Sequence, residues 1–173
     1  MKKRSDKLLY ELGLWDVLSS HGNPHIVGSY LTDLMSWNDL DIYMEEDSVE
    51  NYFSAVADLV KRFRPDKFDG FTRWGKNLGF ETYVDGERFN VDIWWKPESD
   101  IAAAINFAKD VNEVIKLHPE YRESIINIKK ELIAKKLYGF DKGRIHYHSD
   151  EIYRAVFEEG ISSPEEFLNK HAK

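Results

Sequence analysis

The chain contains no cysteine among its 173 residues, so disulfides and thiolate metal sites are excluded. Long hydrophobic runs are missing as well. No apolar stretch approaches the roughly 20 residues that cross a bilayer, and the Met1-Lys2-Lys3-Arg4 start leads into a charged segment rather than a signal sequence. The expected setting is therefore cytoplasmic, with no membrane partner. Positive charge is short too: 24 Lys and Arg stand against 31 Asp and Glu, a formal net charge of −7. Such a balance argues against a long polyanion as partner, because phosphate neutralisation dominates that kind of binding. No internal repeat or low-complexity tract is present. What the chain has in quantity is aromatic residues: 10 Phe, 9 Tyr and 5 Trp, or 14%. That content excludes a disordered chain despite a mean hydropathy of −0.54. A chain of this length buries roughly 70% of its unfolded surface, enough for a core without covalent staples.

Periodicity predicts a helix over 6–20, with Leu8, Leu9, Leu12, Trp15 and Leu18 on one side and Ser5 or Asp6 as cap. A short strand follows at His25-Ile26-Val27. Residues 39–45 alternate polar and apolar, the period of a half-buried strand. Asp47 with Glu50 resembles a capping box before a helix through Phe63. Residues 68–74, 78–84 and 87–95 read as three strands, joined by a connection containing Gly75-Lys76-Asn77 and by the two-residue turn Asp85-Gly86. From Pro97 onward the pattern is helical, with Ser99, Pro119, Ser149 or Asp150, and Ser163-Pro164 as starts, and Gly139 and Gly160 as stops. The composition shift predicts an α+β (α/β) architecture. A mixed sheet packed on helices would occupy 1–97, and a helical C-terminal region 98–173.

Side chains on a strand alternate faces. In the first long strand Asp39, Asp41 and Tyr43 share one face, opposite Leu40, Ile42 and Met44. In the last strand Arg88, Asn90, Asp92 and Trp94 share one face, opposite Phe89, Val91, Ile93 and Trp95. If the two strands are neighbours with their apolar faces aligned, Asp39, Asp41 and Asp92 converge. Three carboxylates at close quarters repel unless a cation neutralises them or one protonates. Oxygen ligands of this kind select Mg²⁺ or Mn²⁺, and two such ions clamp the attacking and leaving oxygens of a phosphoryl displacement. Taken alone, an Asp-x-Asp pair more often marks a solvated strand face, and Gly28-Ser29 alone is a strand-ending turn.

The combination is more specific than its parts. Val27-Gly28-Ser29, then Asp39-Leu40-Asp41-Ile42, then Val91-Asp92-Ile93 resembles the nucleotidyltransferase superfamily of the polymerase-beta type. The resemblance covers about residues 25–95. It implies a Mg²⁺-dependent enzyme that moves a nucleoside monophosphate from a nucleoside triphosphate to a hydroxyl and releases pyrophosphate. It also implies that Gly28 and Ser29 hold the triphosphate, and that Asp39, Asp41 and Asp92 are the catalytic, metal-binding carboxylates, with Asp92 either ligating the metal next to the acceptor hydroxyl or accepting its proton. By size and layout the chain looks like the antibiotic nucleotidyltransferases of the lincosamide and aminoglycoside kinds. A small-molecule acceptor and no nucleic acid are therefore expected. A non-catalytic nucleotide-binding or complex-forming module, and a member that adenylylates a protein, are the alternatives; a homodimer is left open.

Residues 30–38 contain no Lys or Arg, where many relatives carry one, and they contain Asp33. Positive charge for the triphosphate must then come from elsewhere, such as Arg73, Lys76, Arg88 or Lys96, and Arg88, which has the right strand parity, is the first choice. Trp94 by parity, and Trp74, are candidates for stacking on a ring, whereas Trp95 reads as core. His146-Tyr147-His148 reads as packing rather than a metal site, and Lys129, Lys130, Lys135 and Lys136 as a solvated basic stripe.

Overall fold

The computed structural model describes residues 1–72, 75–139 and 146–173. The chain divides into two compact units, Met1–Ala108 and Lys109–Lys173. The first begins with α1 (Lys2–Asp6), which continues as a π-helical segment (Lys7–Glu11), then α2 (Leu14–Ser19), β1 (Pro24–Ile26), α3 (Gly28–Leu31), β2 (Asp39–Glu45) and α4 (Val49–Phe63). It goes on through β3 (Phe68–Thr72), β4 (Gly75–Val84) and β5 (Glu87–Lys96) to α5 (Glu98–Leu117), which contains the boundary. The second unit carries α6 (Glu120–Ala134), α7 (Ser149–Glu159) and α8 (Pro164–Lys170).

The strands form one five-stranded mixed sheet in the order β1-β2-β5-β4-β3. β2 and β5 are parallel neighbours at its centre, and the other pairings are antiparallel. The apolar faces of both central strands point the same way. Leu40, Ile42, Met44, Phe89, Val91, Ile93 and Trp95 join Leu8, Leu9, Leu14 and Leu18 from the N-terminal helices and Tyr52, Ala55 and Leu59 from α4 in one core. Burial of side chains of this size contributes about 1.5–3 kcal/mol each. A one-residue slip of either strand would expose the entire set, which fixes the register. The N-terminal helices and α4 therefore take one face of the sheet, and the aspartates are carried on the other. This is the expected α+β arrangement.

Several local expectations change. The helix predicted over 6–20 starts at Lys2 and breaks at Gly13, whose φ of +82° is left-handed. Ser5 is no cap; it is fully buried, with its hydroxyl on the Met35 sulfur at 3.7 Å. Ser48, not Asp47, caps α4, accepting from the Asn51 amide at 3.1 Å. Gly75-Lys76-Asn77 lies inside β4 rather than in the connection, and α5 begins at Glu98 rather than after a Ser99 cap. Asp85-Gly86 is the expected two-residue turn, with both residues at positive φ (54° and 78°). In the second unit Ser163 caps α8 with Pro164 behind it, and Gly160 ends α7 in the left-handed region. α6 stops at Ala134, well before Gly139. Lys129 does not belong to a solvated stripe. It is 1% exposed, and its Nζ donates to the Tyr153 hydroxyl at 3.0 Å. Among the described residues no helix is long and apolar enough to cross a membrane.

Candidate active site

The parallel pairing of β2 and β5 sets Asp39 beside Asn90, Asp41 beside Asp92 and Tyr43 beside Trp94. β4 extends each row: Glu81 lies beside Asn90, Gly79 beside Asp92 and Asn77 beside Trp94. β3 adds Asp69 beside Gly79. The centre of the face opposite the core is thus a row of Asp69, Gly79, Asp92 and Asp41. Asp39, Asp41 and Asp92 each present a carboxylate oxygen within 4.8 Å of the others, close enough for shared ligation of a divalent cation. All three are partly buried.

Backbone geometry holds this cluster. The Val27 amide donates to the Asp41 carbonyl at 3.0 Å, extending the β1–β2 pairing by one residue. The chain then turns into α3 at Gly28, with φ of +66°. A Cβ there would stand 2.1 Å from Asp41 Oδ2, so only glycine allows both the backbone conformation and the contact. Ser29 follows immediately, half-buried at the start of α3. The Tyr30 hydroxyl donates to Asp6 at 2.6 Å, tying α3 to the N-terminal helix. On the far side of the trio, a Cβ at Gly79 would lie 2.9 Å from Asp92 Oδ1. The Asn90 side-chain amide donates to Asp39 Oδ1 and to Asp92 Oδ2, both at 2.8 Å.

The electrostatics follow from burial. Desolvation pushes the Asp92 carboxyl above the usual carboxylate range; the Asn90 amide opposes this and the Asp69 charge adds to it. Tyr43 is raised by burial first, then by Asp41 and Asp100.

The residues expected at the site are distributed as follows. The structure brings together Gly28, Ser29, Asp39, Asp41 and Asp92. Arg88 keeps the right face, but its guanidinium is paired with Glu81 and lies four residues along β5 from Asp92. The Lys76 ammonium donates to the Asp47 carbonyl, and the Lys96 ammonium sits 5.1 Å above the Trp94 ring. Asp33 is exposed, at a φ of 55°. Arg73 and Trp74 lie outside the described residues. Trp95 is core, 4% exposed, and Trp94 is half-buried on the aspartate face. Strand parity alone assigns no role to Asn90, Gly79 or Asp69.

No protein-family model and no curated protein matches this chain. Solved structures do. The Cid1 poly(U) polymerase, as an H336N mutant bound to MgATP, superposes with a TM-score of 0.68 at 16% identity, over 90% of this chain and 49% of that one. A cytoplasmic RNA terminal U-transferase gives 0.66 at 16%, over 90% and 47%. The GLD-2 poly(A) polymerase, in complex with GLD-3, gives 0.66 at 15%, over 98% and 54%. This chain has the fold of these nucleotidyltransferases. It spans about half the length of each.

These neighbours overturn the expected partners. Size and the net charge of −7 point to a small-molecule acceptor without nucleic acid, but the proteins that share the fold are a poly(U) polymerase, an RNA terminal U-transferase and a poly(A) polymerase, the last seen with a protein partner. Net charge sums the whole surface, whereas an acceptor strand meets only the local field, which bound cations can invert. The finer likeness to lincosamide and aminoglycoside enzymes finds no support in these structures.

Proposed function

We propose that this chain carries the catalytic core of a Mg²⁺-dependent nucleotidyltransferase that adds a nucleoside monophosphate to the terminal hydroxyl of an RNA strand. The observation that carries this reading is the convergence of Asp39, Asp41 and Asp92, with their oxygens within 4.8 Å, beside the Gly28 backbone. RNA as the acceptor is supported by the substrates of the fold neighbours.

In this reading Asp39 and Asp41 hold the divalent ions, and Asp92 shares in ligation on the acceptor side. The ions supply charge neutralisation for the phosphates and polarise the reacting oxygens. Ser29 offers its hydroxyl to the triphosphate, and Gly28 keeps the approach to Asp41 clear. Asp92, on the acceptor side, takes the hydroxyl proton as the acceptor oxygen bonds to the α-phosphorus. The bond from the α-phosphorus to the bridging oxygen breaks, and pyrophosphate leaves. Arg88 stays outside the assignment, because Glu81 engages it. Trp94 lies two residues beyond Asp92 on the same face of β5.

The test is extension of an end-labelled RNA oligonucleotide with each nucleoside triphosphate and Mg²⁺. Lengthened products with stoichiometric pyrophosphate are expected. They should vanish in Asp41→Asn and with a 3′-deoxy end. Extension that survives in Asp39→Asn and Asp92→Asn would remove the carboxylate mechanism. Pyrophosphate release without any RNA extension would remove the acceptor assignment alone.

A further inference from the structure

Asp92 is held from two sides by residues that carry no charge. Asn90 is the Cα partner of Asp39 and stands two residues before Asp92 on the same face of β5. Its Nδ2 lies 2.8 Å from Asp39 Oδ1 and 2.8 Å from Asp92 Oδ2. Carboxylates only accept, so the atom between them must be the amide nitrogen with its two protons. Gly79, the partner of Asp92 on β4, leaves bare backbone under the other oxygen; a methyl group there would come within 2.9 Å of Oδ1.

We propose that Asn90 and Gly79 are positioning residues for the metal ligands. Asn90 fixes one oxygen of Asp39 and one of Asp92 at a set separation, and Gly79 gives the second Asp92 oxygen the room to take its place in the cluster. The inference rests on the metal-centre reading above. Asparagine is the side chain this position calls for. A Ser would offer one proton to two acceptors, and an Asp would add a fourth negative charge. A Lys would place an ammonium where it competes with the cation. A neutral double donor orders two repelling carboxylates while leaving their charge available to a divalent ion. Partners of this kind set ligand orientation, and their loss typically lowers metal affinity about 10- to 100-fold.

The test is Mn²⁺ titration of the full chain, followed by electron paramagnetic resonance, for the unaltered protein, Asn90→Ala, Gly79→Ala and the distant same-face control Tyr83→Ala. Gly79 has no positive φ, so alanine there adds a methyl without backbone strain and remains a usable variant should Asn90→Ala fold poorly. We expect the dissociation constant to rise about 10- to 100-fold in both site variants, with far-UV circular dichroism unchanged and the control unmoved. In RNA extension the Mg²⁺ concentration for half-maximal rate should rise, with excess Mg²⁺ restoring turnover. A purely structural role would not give that recovery. If either variant binds Mn²⁺ as tightly as the unaltered chain, or more tightly, the role of that residue is overturned. If the unaltered chain binds no Mn²⁺, the metal centre itself falls, and this inference with it.

Discussion

Replacing Gly28 by alanine perturbs the site at its tightest point. Two costs add there. The residue sits at φ +66°, where an L side chain costs about 1–2 kcal/mol. For a chain of this length each kcal/mol lowers the melting temperature by about 2–4 °C, so a fall of roughly 2–8 °C is expected from backbone strain alone. The second cost is local. The new Cβ would lie 2.1 Å from Asp41 Oδ2, against 3.4 Å or more for an ordinary contact, so the carboxylate must move by about 1 Å or the turn must open. A displacement of that size at a reacting centre costs about 100-fold in rate. Gly86→Ala separates the two effects. Its φ is +78°, and nothing lies within 4 Å of the added methyl. Both variants should melt earlier, Gly28→Ala by at least as much as Gly86→Ala, while only Gly28→Ala should lose RNA extension and Mn²⁺ affinity. Wild-type turnover in Gly28→Ala, or a loss no larger than in Gly86→Ala, would refute the argument that Gly28 is needed for the approach to Asp41.

Asp41→Asn removes one charge from a cluster of three. The metal-free chain should become more stable, on the order of 1 kcal/mol in urea denaturation, while the thermal shift produced by Mg²⁺ and a nucleoside triphosphate disappears. Asp92 has a folded-state pKa raised chiefly by burial. Its contribution to metal-free stability is therefore complete below its unfolded pKa of about 3.9 and is lost as pH rises through the folded value. Asp92→Asn should flatten that part of the stability–pH curve, and Mn²⁺ binding by the unaltered chain should weaken on acidification through the same range. Ser163→Ala deletes the hydroxyl that accepts the Glu166 amide at 3.2 Å. It should cost about 1 kcal/mol, seen as faster hydrogen exchange over α8.

The sheet was legible because its two central strands each carry a strict two-residue alternation. Leu40, Ile42 and Met44 on one, and Phe89, Val91, Ile93 and Trp95 on the other, leave one orientation that buries both sets. That orientation alone carries Asp39, Asp41 and Asp92 to a common face. Gly79 was within reach of the same reasoning. The Asp85-Gly86 turn pairs Val84 with Glu87, and counting outward from it brings Gly79 opposite Asp92. Asp69 was not within reach, because its register depends on β3, which reaches β4 through an irregular pairing between Gly70 and Thr72. The helical region was read less well for a related reason. Helix periodicity marks a face but not its neighbours, so Lys129 looked solvated in a run of lysines, although the α6 backbone turns it onto Tyr153.

Net charge is a poor guide to the acceptor, because charge on this chain is concentrated locally. Negative charge on this chain is not spread evenly: Asp41, Asp92 and Asp69 lie in a single row across four strands, with Asp39 one row away. A sequence sum counts those groups as repelling a polyanion. On the proposed reading they are what recruits it, since divalent ions held there would present positive charge to the phosphates. An RNA end would then lie on the aspartate face beside Trp94 and Tyr43, not against the helices that cover the opposite side. Charge reversal of Lys61, Arg62 or Arg64 at the end of α4 should then leave extension nearly unchanged. A strong loss there would mean that the strand is held on the helical side, and the placement would be wrong.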